Sequence, residues 1–187
     1  MNRESVRPIA ALSEFQAHTG ETLQALSDRS PILVVFLRHF GCMFAREAMS
    51  DLARRRQAIE ARGVRLVLIH MGHPDLAAAM LTRYGLGAVP RVSDPERRLY
   101  RAFGLVRATL GQVAGPRVWL RSLGAFLAGH RLGRVIGDGL QMSGVFLVHR
   151  GRVVRGYSYQ SVADRPDYVA MASVMPARVP RPVPLAS

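Results

Sequence analysis

The chain has one cysteine, no lysine and no uninterrupted apolar run long enough to cross a bilayer, and each shortage narrows what it does. A single thiol, Cys42, excludes a disulfide framework within the chain. A spanning helix needs about 20 consecutive apolar residues. The apolar run at 32–37 ends at Arg38, and the one at 118–128 contains Arg121, so no transmembrane segment is expected. Residues 1–20 are polar and broken by charges, unlike a secretory leader, which makes the cytoplasm the expected compartment. The formal charge of +13 and pI near 11.5 suggest an anionic partner. Yet every cation is Arg, scattered from Arg3 to Arg181 rather than gathered in a block, and no nucleic-acid motif accompanies them. Nucleic-acid binding is therefore not expected.

Other chemistries lack their residues too. No glycine-rich phosphate loop or G-x-G-x-x-G opens a helix, and no Gly-x-Ser-x-Gly occurs, so no nucleotide cofactor or serine nucleophile is expected. His70 and His73 are the only close histidine pair and straddle a strand end and Pro74; a metal site needs more clustered ligands, and none is expected. With 187 residues, 49% of them hydrophobic, the chain can build one well-buried core and is short for two.

Residues 32–46 carry the clearest signal. An apolar, branched run at 32–37 reads as a central strand covered on both faces. A tight turn follows, and Cys42 then opens a helix. A thiol at a helix N-terminus faces unpaired N–H groups and the positive end of the helix dipole, both of which favour thiolate. Arg38, His39 and Arg46 add positive potential. Arg46 lies one turn beyond Cys42 and can share its face, whereas Arg38 and His39 precede the turn. Such a thiol is expected to be at least partly accessible and reactive. The alternative is a buried cysteine acting as a small apolar side chain.

Along the chain, residues 1–19 read as an N-terminal extension, 20–23 as a short strand, and 24–30 as a turn towards Pro31. The helix from Cys42 stops at Gly63, and 64–70 is a second buried strand, giving a strand–helix–strand unit with parallel pairing. Pro74 starts another helix that ends before Gly85. Ser93 with Glu96, or Asp94 before Pro95, caps a helix running to about Phe103. A helical insertion at about 105–139 includes a stripe of Trp119, Leu123, Phe126 and Leu127, expected to be buried against the core or at a homodimer contact. A membrane-surface face is the alternative for that 113–131 helix. Residues 145–148 and 153–159 form a hairpin, 164–174 the last helix, and 175–187, with four prolines, a disordered or surface-laid tail.

The segment F-L-R-H-F-G-C-M-F-A-R-E resembles the active-site segment of peroxiredoxin-like, AhpC/TSA-type thioredoxin-fold proteins, which carry F-G-C-x-x-C or a selenocysteine counterpart. Cys42 takes the first position and Ala45 the second, so the partner thiol is missing. Met43 stands where relatives often have proline, and His39 where typical peroxiredoxins have Thr or Ser. A second match, S-D-P followed by a short helix and Gly104, resembles the peroxiredoxin pattern after the third strand.

The resemblance implies an α/β, thioredoxin-like domain over 20–174, with a central mixed sheet of about five strands and helices on both faces. It implies a single-cysteine thiol oxidoreductase reducing a peroxide or disulfide through Cys42, with His39, Arg38 and Arg46 as supporting catalytic residues. An external glutathione-like or thioredoxin-like thiol would complete the cycle. Phe40, Gly41, Met43 and Phe44 would line the pocket beside Gln141, Met142 and Ser143, the loop that faces the thiol in this fold. The rival reading is a redox-inactive module that binds a protein or peptide.

Overall fold

Strand β2 (Ile32–Phe36) is buried at every position because both of its faces are covered. Side chains alternate along a strand, so Leu33 and Val35 enter one core while Ile32, Val34 and Phe36 enter another. The computed structural model describes residues 7–109 and 138–173. The first core lies under α2 (Met43–Glu60), α3 (Pro74–Arg83) and α5 (Tyr168–Met171). The second lies under α1 (Leu23–Arg29), α4 (Arg98–Ala102) and a 3-10 turn at Ala10–Ser13.

Among the described residues six strands form the sheet, in the order β1-β6-β5-β2-β3-β4. β2 pairs in parallel with β3 (Arg65–His70), which pairs in parallel with β4 (Arg91–Ser93). On its other side β2 pairs antiparallel with β5 (Gly144–His149), and β5 with β6 (Arg152–Ser158). Parallel strands thus give way to a final antiparallel hairpin, as expected. The sixth strand is the two-residue β1 (Arg7–Pro8) on the outer edge of β6, a position where proline is tolerated. Ile9, Leu12, Phe15 and Ala17 follow it into the second core, tying residues 7–17 to the domain.

Two expectations are corrected. Residues 23–29 are helical rather than strand and turn. Thr22 caps the helix by accepting from the Ala25 N–H at 3.1 Å, and Leu23 and Leu26, one turn apart, share the buried face. Only Thr22 keeps a strand-like contact, an isolated bridge to Gln16. The last helix is also shorter than 164–174. Asp164 is spent on a turn, accepting from the N–H groups of Gln160 and Ser161, and Asp167 is the cap, accepting from Val169 and Ala170.

The β5–β6 turn places Arg150 (φ 49°) and Gly151 (φ 70°) in the left-handed region, the geometry of a tight two-residue hairpin. On the second face Phe36, Tyr100, Phe103 and Phe146 form an aromatic cluster with ring centroids 4.9 to 5.8 Å apart. The buried Tyr100 hydroxyl donates towards the carbonyls of Leu37 and Ile69. The Leu37 N–H also donates to Ile69 at 2.8 Å, so the chain is held firmly where it leaves the sheet and enters the Arg38–Gly41 turn. Among the described residues no helix is long and apolar enough to cross a membrane. The expected stripe at Trp119, Leu123, Phe126 and Leu127 lies outside the described residues.

Candidate active site

The turn after β2 brings its residues together at the carboxyl end of the sheet. Cys42 is the N-cap of α2, with φ −76° and ψ 127°, as the strand–turn–helix pattern predicts. Its N–H donates to the His39 carbonyl at 2.9 Å and its carbonyl accepts from the Arg46 N–H at 3.1 Å. The Phe40 ring lies under the turn, with its centroid 5.6 Å from that of His70. Gly72 makes room for it, since a Cβ there would come within 2.9 Å of the Phe40 ring.

Cys42 is only 4% exposed, which corrects the expectation of an accessible thiol. It belongs to an apolar cluster with Phe40, Met43, Phe44, Ala45, Ala108 and Met142. Met142, from a loop about a hundred residues away in sequence, belongs to the same cluster, and no local sequence pattern reveals that juxtaposition. Gly41 is buried as well.

The cations are arranged differently from the helical-face expectation. Arg46, one turn beyond Cys42, turns back and donates from Nε to the Phe40 carbonyl at 3.1 Å, bracing the turn. Arg38 is the residue that reaches the sulfur: its Nη1 donates to Cys42 Sγ at 3.1 Å. Its Nε donates to the Gln141 carbonyl at 3.3 Å and its Nη2 to the Gly139 carbonyl. Arg38 is 5% exposed, and among the described residues it pairs with no carboxylate. A buried cation without a counter-charge is costly. One of its donors is aimed at Cys42 Sγ.

His39 is buried, and its Nδ1 has no hydrogen-bond partner among the described residues. Burial, reinforced by the Arg38 charge and only partly opposed by Asp138, holds its pKa below the ordinary imidazole value. It is therefore neutral at neutral pH.

The Gln141–Gly144 loop meets Arg38 through its backbone, and the Gln141 side chain is turned elsewhere. Its Nε2 is spent on the carbonyls of Leu105, Val106 and Met142 at 3.2 to 3.3 Å, and its backbone carbonyl meets Arg38. Met142 and Ser143 are buried beside it. Gly139 and Asp138 were not legible as site residues; the only local signal is an acidic residue set between glycines, Gly137-Asp138-Gly139. Among the described residues no cluster of three metal-ligating side chains occurs.

The model of the AhpC/TSA antioxidant enzyme family matches residues 51–161. The chain belongs to this AhpC/TSA family. The matched region begins after Cys42, so membership rests on the scaffold rather than on the thiol segment. A thioredoxin-like protein of Arabidopsis thaliana, AAED1, is 31% identical over 56% of this chain and 41% of its own length. The chain thus spans about two-fifths of that relative. A prostamide/prostaglandin F synthase of Aquarana catesbeiana is 25% identical over 81% of this chain and 77% of its own. Among solved structures, a Xanthomonas campestris bacterioferritin comigratory protein, described with alkyl peroxide reduction activity, superposes with a TM-score of 0.60 at 17% identity, covering 86% of this chain and 90% of that one. Peroxidoxin BcpB of Mycobacterium tuberculosis superposes with a TM-score of 0.58 at 15% identity, over 91% and 97% of the two chains. These likenesses establish for this AhpC/TSA member the peroxiredoxin-type thioredoxin fold.

Proposed function

We propose that the protein is a single-cysteine thiol peroxidase in which Cys42 works as a thiolate paired with Arg38. The observation that carries this reading is the buried Arg38 guanidinium donating to Cys42 Sγ at 3.1 Å with no carboxylate partner among the described residues. The Cys42 thiolate attacks the distal oxygen of a hydroperoxide, the O–O bond breaks, and the leaving oxygen takes a proton to become an alcohol or water. Cys42 becomes a sulfenic acid. With no second thiol in the chain, an external thiol condenses with it, releasing water. A second external thiol then exchanges with the mixed disulfide and restores Cys42.

Exposure of only 4% suits a small oxidant better than a protein disulfide, which must bring its own sulfur to within bonding distance of Sγ. The apolar surroundings of Cys42, which shares a core cluster with Phe40, Met43, Phe44 and Met142, suit an alkyl hydroperoxide. His39, neutral and with Nδ1 unpartnered among the described residues, is the candidate to hydrogen-bond the peroxide or carry its proton. Arg46 holds the turn.

The same low exposure favours a second reading, an inert buried thiol on a scaffold that binds a protein or peptide. Hydroperoxide consumption with glutathione or thioredoxin as reductant separates the two. Turnover that disappears in Cys42→Ser and drops about tenfold in Arg38→Met supports the peroxidase. Wild-type protein inactive with both reductants leaves the binding module.

A further inference from the structure

The direction of the Arg38 guanidinium is fixed by groups outside the thiol segment. Besides Cys42, Arg38 donates to the carbonyls of Gly139 and Gln141. The shape of that loop depends on Asp138. One carboxylate oxygen of Asp138 accepts from the Leu140 N–H at 2.9 Å, and its backbone carbonyl accepts from the Gln141 N–H at 3.2 Å. The other carboxylate oxygen pairs with Arg97 and with Arg107, the latter at 2.9 Å. Arg97 holds φ 59°, uncommon for a residue with a side chain, at the entry to α4. The loop is further laced to the segment after α4, with Ala108 N–H to the Leu140 carbonyl at 2.7 Å and Met142 N–H to Val106 at 3.1 Å. Asp138 is 15% exposed and, held by both cations and the Leu140 N–H against the opposing effect of burial, titrates below the usual carboxylate range.

We propose that Asp138 is a positioning residue for Cys42: clamped by Arg97 and Arg107, it sets the 138–141 loop whose carbonyls aim the Arg38 guanidinium at the thiolate. The inference rests on the reading of Cys42 as an Arg38-paired thiolate. It makes a prediction of sign. A carboxylate acting on the thiolate through space would disfavour it, so removing the carboxylate would raise the thiolate fraction. A carboxylate acting through Arg38 favours the thiolate, so its removal lowers that fraction.

The test is thiolate ultraviolet absorbance across a pH series on the full chain, with Cys42→Ser as baseline, for wild type, Asp138→Ala, Arg38→Met and the double variant. Arg107→Met, altering a side chain that is 62% exposed, loosens the clamp with the fold unthreatened. His39 and Arg46 are unchanged throughout. The expected result is a thiolate fraction at neutral pH lowered roughly threefold in Asp138→Ala, less in Arg107→Met, and no lower in the double variant than in Arg38→Met alone. An unchanged or raised fraction in Asp138→Ala and Arg107→Met, with Arg38→Met lowered, overturns the positioning role. If Asp138→Ala fails to fold, Arg107→Met decides by the same signs. An unchanged fraction in Arg38→Met overturns the underlying reading instead.

Discussion

Arg38 Nη1 and Cys42 Sγ stand 3.1 Å apart, both side chains buried, at the point where β2 hands over to α2. Only three residues of sequence separate them. The turn closes because the Cys42 N–H caps the His39 carbonyl and the Tyr100 hydroxyl holds Leu37. A guanidinium so placed stabilises negative charge on sulfur, and the sulfur in turn answers a cation that burial would otherwise penalise.

Arg38→Met should slow alkylation of native Cys42 at neutral pH by about tenfold, the scale of one hydrogen bond to a charged group. Arg38→Lys should recover part of the rate. An ammonium restores charge but lacks the planar fork that serves Sγ, Gly139 and Gln141 together. Rates measured with a small uncharged alkylating probe check both.

Oxidised Cys42 cannot be resolved within one chain, because Ala45 occupies the position of the family's second thiol and no other cysteine exists. Brief peroxide treatment with glutathione present should therefore add one glutathione to the intact mass. Without glutathione the chain should pass to the sulfinic acid or to a Cys42-linked dimer. Cys42→Ser should give none of these products.

His70 gives the fold an acid-sensitive side. It is fully buried beneath Phe40, with Nδ1 3.1 Å from the Gly72 carbonyl. That carbonyl can only accept, so Nδ1 carries the proton of a neutral ring. Burial lowers its pKa from 6.5 to about 4. Between those values the unfolded chain binds the proton that the folded one refuses, so the stability from a neutral His70 is complete above 6.5 and is lost as pH falls towards 4. The loss approaches roughly 3 kcal/mol. His70→Gln should flatten this limb of the curve of melting temperature against pH.

Asp51 joins α2 to the segment before α5 through Arg165, with Arg54 as a second partner. Burial opposes its charge, but the bonds from Arg165 and Arg54 prevail and its pKa falls below 3.8. Its contribution is present above the unfolded carboxylate value and lost as pH falls through the folded one. Arg165→Met should destabilise by about 1–2 kcal/mol, discounted because Arg165 is 40% exposed. Combined with Asp51→Asn, the loss should be smaller than the sum, since both remove one interaction. Urea unfolding of the four proteins measures it.

The strands and the thiol's place were legible because their signals are local. A branched apolar run bounded by Pro31 and Arg38 has one good home, the middle of a sheet, and the glycine before Cys42 marks the turn into the helix. Gly63, Gly85 and Gly104 ended three helices where expected, each with positive φ. The α1 helix was missed because its signal is one Thr cap and two leucines, too little to outweigh an apparent strand. The site's inner arrangement was less legible. Whether Arg38 or Arg46 meets the sulfur depends on which carbonyls await each guanidinium, and those of Gly139 and Gln141 lie about a hundred residues away in sequence. The burial of Cys42 likewise depends on its cluster partners Ala108 and Met142, which lie far from it in sequence.

The central claim, a reactive Cys42 thiolate held by Arg38, is tested most directly by trapping the sulfenic acid. The native protein is exposed briefly to an alkyl hydroperoxide in the presence of a sulfenic-acid probe and weighed intact. The account predicts one probe adduct on Cys42, formed faster than on a free cysteine under the same conditions and about tenfold slower in Arg38→Met. A native chain that stays at its reduced mass while free cysteine reacts would contradict it and leave Cys42 as a core residue.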